Sequence, residues 1–235
     1  QLKGMNSTVE LSAEVSNVVN KLNIRGLDLR IGQKTKIKGD FLLPNFAQME
    51  SAIFQERIDY AYVDLDELAS IRLPESAGNQ YLSFDKYTSR LGYFEGQDIR
   101  LDGFYSQFVI AAQNIETQLG EATLKKGLMF SLMKDGKTFR FDKPSGQDFD
   151  FELRDFDLGT FLDNKEFHKV DGEFSIAGYA NSFKNIQFDS LSGQVNRFDF
   201  MGYSYSDVKI WDGSLIDNKM VAKVDIQDDN LDLVY

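Results

Sequence analysis

The sequence predicts an all-β protein, and three observations carry that prediction. Apolar and polar residues alternate with a period of two along most of the chain, turn-forming residues break the alternation at short intervals, and helix-spaced runs are scarce. The short spacing favours antiparallel meanders over crossover connections, so successive strands are expected to lie side by side.

The pattern opens with Val9, Leu11, Ala13 and Val15, and continues with Leu27, Leu29 and Ile31 and then Ile37, Gly39 and Phe41. Phe46, Met49, Ile53 and Arg57 are spaced for a helix, although the same stretch also reads as a loop leading into a strand over 58–63. Residues 64–71 read as a short helix, with Asp64 as N-cap, Glu67 three residues on and Pro74 as the stop. Residues 72–80 read as a loop or insertion. Alternation resumes at Ile99, Leu101 and Gly103, then Phe108, Ile110 and Ala112, Ala122 and Leu124, and Leu128, Phe130 and Leu132. Phe139 and Phe141 follow, then Phe149, Phe151 and Leu153, and residues 157–162 supply another turn of helix. The last strands carry Phe174, Ile176 and Gly178; Ile186 and Phe188; Val208 and Ile210; Met220, Ala222, Val224 and Ile226; and Leu231, Leu233 and Tyr235.

Four Asp-Gly pairs, Asp102-Gly103, Asp135-Gly136, Asp171-Gly172 and Asp212-Gly213, read as tight turns, although Gly103 also falls in strand phase. Phase breaks between Val195 and Phe198, and again near Gly202, read as bulges that bend a sheet. No low-complexity linker divides the chain, so residues 1–235 are expected to form one continuous segment.

Composition narrows the function classes. The 235 residues hold 26 Lys and Arg against 37 Asp and Glu, a net charge of −11, which argues against a nucleic-acid module. Twenty Phe and ten Tyr carry much of the apolar surface in rings. No segment reaches the roughly 18–20 apolar residues of a membrane helix. With no cysteine there is no disulfide framework, thiolate zinc site or cysteine nucleophile. The chain begins at Gln1 without a signal-peptide pattern and its alternation runs to the last residue, so a piece of a longer chain is expected, any targeting or anchoring segment lying outside it.

Catalytic chemistry is sparse, and no catalytic residue, metal site or cofactor is expected. His168, the one histidine, is flanked by charges and reads as a solvent-facing strand-end residue rather than a general base. Asp225, Asp228, Asp229 and Asp232 cluster with Asn230, but without EF-hand spacing or its glycine they read as a polar turn rather than a calcium site. Asp148, Asp150, Asp155 and Asp157 interleave with Phe149, Phe151 and Phe156, as wet and dry faces of a strand do. Tyr203, Tyr205 and Trp211 share one face in strict alternation, either as a sugar platform or as tolerated surface rings. What remains is a burial problem: many strands have one apolar face, and almost no helix is on hand to cover it. Either two sheets close on each other as a sandwich, or one sheet curls around a non-protein apolar ligand.

A set of ordered motifs bears on that choice. Asp64-Leu65 opens a short helix after a strand. Leu91-Gly92-Tyr93-Phe94-Glu95-Gly96, Thr117-Gln118-Leu119-Gly120 and Phe156-Asp157-Leu158-Gly159-Thr160-Phe161-Leu162 come next, followed by Gly202-Tyr203-Ser204-Tyr205, Asp212-Gly213 and Asp228-Asp229-Asn230-Leu231-Asp232-Leu233. Their order over 60–235 resembles the C-terminal part of the TamB proteins of the AsmA-like group, with Asp229 standing where that family has proline; residues 1–59 fit by strand pattern alone. The resemblance implies a long, curved, twisted antiparallel sheet rolled into an open half-pipe, a β-taco with an apolar interior and a few short helices. It further implies a non-enzymatic segment of a lipid conduit in the periplasm of a Gram-negative bacterium, in a protein anchored to the inner membrane. Phospholipid would be the cargo and an outer-membrane Omp85-type barrel the partner, in support of outer-membrane assembly. The apolar positions set by strand parity would then be the lipid groove: Phe108, Ile110, Phe174, Ile176, Ile186, Phe188, Val208, Ile210, Val224 and Ile226. Glu173, Gln187, Lys209 and Asp225 would face solvent. The alternatives are an extracellular carbohydrate-binding β-sandwich using Tyr203, Tyr205 and Trp211, a structural spacer sealed by its own rings, and a secreted glycosidase.

Overall fold

A computed structural model describes residues 7–18, 21–44, 53–72, 81–84, 86–104, 107–131, 149–182, 185–216, 219–228 and 231–234. The described residues form one antiparallel sheet of fourteen strands with three short helices. In chain order these are β1 (Val9–Val18), β2 (Lys21–Ile31), β3 (Thr35–Pro44), β4 (Ile53–Asp64), α1 (Leu65–Ser70), α2 (Lys86–Arg90), β5 (Tyr93–Phe104), β6 (Gln107–Thr117) and β7 (Gly120–Ser131). Then come β8 (Phe149–Asp157), α3 (Leu158–Leu162), β9 (Phe167–Ser182), β10 (Asn185–Phe200), β11 (Tyr203–Tyr205), β12 (Val208–Ile216), β13 (Lys219–Asp228) and β14 (Leu231–Val234). Each strand pairs with the next, except that the short β11 folds back on β10 and β12 takes its place in the path. The sheet stays open and forms the expected half-pipe with an apolar interior.

Strand bending comes from left-handed residues placed inside the ladders. Gly26, Asp155 and Asp212 have φ of 59°, 47° and 49°, each at a register shift against the neighbouring strand. Asp98 adopts φ 50° inside β5. Asp is one of the few side chains that tolerates this region, and a bulge both bends a strand and increases its twist. The three Asp carboxylates are each tied to a cation on a neighbouring strand: Asp98 to Arg57 at 3.0 Å, Asp155 to Lys169 at 3.0 Å and Asp212 to Lys223 at 2.7 Å.

The helices sit in the connections at one rim, β4 to β5 and β8 to β9. Both helices that follow directly on a strand start alike. Asp64 accepts from the Glu67 N–H at 2.8 Å, and Asp157 from the Thr160 N–H at 2.8 Å and its hydroxyl at 2.7 Å. Glu67 then reaches back to the β2–β3 turn and accepts the N–H groups of Gln33, Lys34 and Thr35 at 2.7, 3.0 and 2.7 Å. Burial acts to raise this carboxyl, but the three donors outweigh it and hold it below its ordinary range. α2 and α3 are joined by Arg90, which donates to the Phe161 carbonyl and pairs with Asp163 at 2.7 Å.

Several sequence expectations are corrected. Asp102-Gly103, Asp171-Gly172 and Asp212-Gly213 lie inside β5, β9 and β12 rather than at turns; Asp135-Gly136 lies outside the described residues. The register gives the reason: the φ of Asp212 serves a bulge, and the reversals use Gly32, Gly120 and the pair Met201-Gly202 instead. Met201 and Gly202, with φ of 51° and 84°, make a two-residue hairpin turn between β10 and β11, so the break near Gly202 is a turn. The break between Val195 and Phe198 is a bulge, as expected. Residues 53–57 are strand, because pairing with β5 outweighs their helical spacing; residues 46–52 lie outside the description. α2 had no counterpart in the sequence reading. Of the expected loop at 72–80, Arg72 bridges to Tyr81, and the rest is outside the description.

Candidate functional site

Directly opposed residues in an antiparallel ladder point to the same face. Following the register from strand to strand therefore traces a line across the sheet. From β1 to β14 one such line reads Leu11, Leu29, Ile37, Ala61, Gly96, Ile115, Ala122, Leu153, Gly172, Val195, Val208, Ile226 and Leu233. Every position is apolar or glycine. A second line on the same face runs Ala112, Leu124, Phe151, Phe174, Gly193, Ile210 and Val224. The opposite face is polar along the matching lines, as in Thr123, Glu152, Glu173, Gln194, Lys209 and Asp225.

The apolar face is filled by rings lying across glycines. A Cβ added at Gly193 would come within 2.8 Å of the Phe174 ring, so the missing side chain is the space that ring occupies. Phe174 in turn stacks on Phe151 at 5.2 Å. Toward the helical rim, Leu119, Phe156, Val170, Val195 and Val208 are buried together, with Leu158 and Phe161 of α3 packed against them. Away from that rim the face has no second layer among the described residues. No large side chain described is completely shut off from solvent, and Leu11, Val15 and Met220 are 66%, 63% and 61% exposed. Among the described residues the sheet therefore leaves its apolar face open away from the helical rim, as a groove.

The ten residues expected in the groove all fall on this face by register. Ile176 and Val208 are buried, and Ile110, Phe174, Ile210, Val224 and Ile226 are half-buried. Phe108, Ile186 and Phe188 are placed by their pairing with Phe130, Ala180 and Gly178, nothing being described of their side chains. Glu173 and Lys209 are exposed on the other face. The side chain of Gln187 lies outside the description, and Asp225 departs from expectation: it is half-buried, with its Oδ2 accepting from Gln227 at 3.0 Å.

One polar residue on the apolar face was not foreseen. A third line reads Val15, Ile24, Phe41, Glu56, Leu101, Ile110 and Leu128. Glu56 is 4% exposed. Its Oε2 accepts from the Leu42 backbone N–H at 3.0 Å, and its Oε1 has no hydrogen-bond partner among the described residues. Burial pushes the carboxyl up from an ordinary 4.5 to about 7, against the lowering effect of the Leu42 donor. Carrying the strand phase of Ile58 back by two residues would have found it; the helical reading of 46–57 hid it.

Among the described residues the other candidates do not assemble; Asp148, Asp229 and Asn230 lie outside them. His168 is exposed at the start of β9. Among the described residues no three His, Cys, Asp or Glu side chains are placed to hold a metal ion. Asp155 and Asp157 serve the bulge and the α3 cap. Asp228 accepts from the Ser206 N–H and hydroxyl at 2.9 and 3.0 Å, tying β13 to the segment after β11. Tyr203, Tyr205 and Trp211 do not share one alternating strand, because Asp207 at φ 50° breaks the phase between them. Tyr205 packs toward the buried cluster, Tyr203 is exposed, and Trp211 instead lines a shallow hollow of about 610 Å³ on the polar face with Asp150, Glu173 and Lys209.

Fold and site together define an open β-groove protein with an apolar interior. No family model, no curated protein and no solved structure matches the chain.

Proposed function

We propose that the chain is a segment of a lipid conduit, which holds acyl chains along the apolar face of its sheet and lets them move along it. The observation that carries this reading is the unbroken line of thirteen apolar or glycine positions, one from each strand of the path, on a face that away from the helical rim has no second layer among the described residues. Each methylene withdrawn from water contributes about 0.8 kcal/mol, so one acyl chain supplies ample affinity without a polar pocket. A face of rings and aliphatic side chains offers many equivalent positions and no single fixed one, which suits transit better than storage. The resemblance to the TamB proteins supplies the biological setting of the proposal: phospholipid as cargo, the periplasm as the compartment, an inner-membrane anchor in the whole protein and an outer-membrane Omp85-type barrel at the far end. In this reading the segment performs no catalysis.

Mass spectrometry of an organic extract of the protein, purified without detergent from a Gram-negative host, tests the proposal. Phospholipid at a fixed ratio to protein is the expected result. A lipid-free preparation that also takes up no lipid from vesicles counts against it. The carbohydrate alternative finds its platform incomplete, since neither tyrosine joins Trp211 at the hollow on the polar face.

A further inference from the structure

A carboxyl group is expensive to bury unless something neutralises or hydrogen-bonds it, and Glu56 is buried in the apolar face with one oxygen unmatched. Its surroundings are apolar on every side described. Phe41 of β3 and Leu101 of β5 flank it directly; Ile58 lies two residues along β4, opposite Gly39 and Ile99. The charged residues nearest in these strands, Asp40, Arg57, Arg100 and Asp102, occupy the alternating positions and so the opposite face. The Leu42 N–H holds Oε2, which fixes the carboxyl and leaves Oε1 as an acceptor awaiting a donor.

We propose that Glu56 is a recognition point inside the groove for the ammonium head of an amine-bearing amphiphile, whose tail lies along the flanking apolar positions. The inference rests on the groove reading above. Charge complementarity selects the occupant. An ammonium donates to Oε1 and cancels the buried charge, a phosphate or sulfate head would set anion against anion, and an uncharged head leaves the carboxylate uncompensated. A zwitterionic lipid ending in a primary amine meets the same site through the same group. Where Glu56 is neutral, binding the ammonium releases its proton to solvent and leaves a carboxylate–ammonium pair. The affinity therefore climbs as pH rises through about 7 and then levels.

Calorimetric titration of the 235-residue chain with sub-micellar decylammonium and with decyl maltoside separates head from tail. At ~pH 8 decylammonium is expected to bind about tenfold more tightly than decyl maltoside, with the advantage shrinking at ~pH 5.5. In Glu56→Gln the advantage disappears and maltoside binding stays; Glu56→Leu serves the same purpose should the amide disturb folding. Equal binding of the two probes in the wild type, or an ammonium preference that survives both substitutions, overturns the role of Glu56 and leaves the groove intact. Failure of the wild type to bind either probe overturns the groove reading itself, and this inference with it.

Discussion

Glu56 and Glu67 are held by opposite forces and give the fold opposite responses to pH. Burial raises the Glu56 carboxyl to about 7 in the folded state, against 4.5 when exposed. Its neutral form therefore favours folding: its stabilising contribution is complete below 4.5 and is lost as pH rises through 7. Urea unfolding of the wild type is expected to show this decline, and Glu56→Gln to flatten it over the same interval; an unchanged slope in the variant would place the titrating group elsewhere. Glu67 behaves in reverse. Its carboxyl is depressed by the N–H groups of Gln33, Thr35 and Lys34, so its contribution is present above its ordinary 4.5 and fades as pH falls through the depressed value. Glu67→Ala leaves three donors without that acceptor and is expected to lower stability by about 1–3 kcal/mol near neutral pH. At Gly193 an added methyl would press on the Phe174 ring at 2.8 Å and on the Glu173 carbonyl at 3.0 Å. Gly193→Ala is expected to destabilise by about 1–3 kcal/mol through overpacking, read as a lower melting temperature.

At the scale of elements, the Asp bulges are the devices that bend the sheet. Asp212→Val puts a β-branched residue at φ 49° and removes the Lys223 pair. A loss of about 1–2 kcal/mol is expected from the backbone alone, with Asp212→Gly much milder; equal melting temperatures for the two would show that the left-handed φ is not what the position demands. The same bulges explain where the sequence misleads. Alternation located most strands, since burial of one face imposes the period directly, and Asp64 and Asp157 announced their helices because capping is a local interaction. Asp-Gly pairs were ambiguous: the same preference for positive φ serves a hairpin turn or a bulge, and the choice depends on which strands pair. The helical spacing of Phe46, Met49, Ile53 and Arg57 failed for a similar reason, as residues 53–57 answer to Phe104, Gly103, Asp102, Leu101 and Arg100 across the ladder with β5. α2 spans only five residues, too few for a helical period to stand out from the sequence around it.

For the whole molecule, parity within each strand was legible, but the alignment of thirteen strands into one line was not. Each register is set by bulges and connections, and a slip of one residue would send a strand's apolar set to the other face. Of the ten groove positions, Val208 and Ile226, and likewise Ile210 and Val224, share a face because each pair is directly opposed across the ladder of β12 and β13. Glu56 was hidden by the same gap between local pattern and long-range pairing. Site-specific photocrosslinking in a Gram-negative host tests the groove most directly. A photoreactive residue at Ile110, Ile210 or Val224, on the apolar face, is compared with one at Lys209 or Lys223, exposed on the other. Phospholipid adducts at the first three positions and none at the two lysines, with melting temperatures close to wild type throughout, are the expected result. Adducts of equal yield on both faces, or none on the apolar face of a folded protein, would contradict the lipid groove.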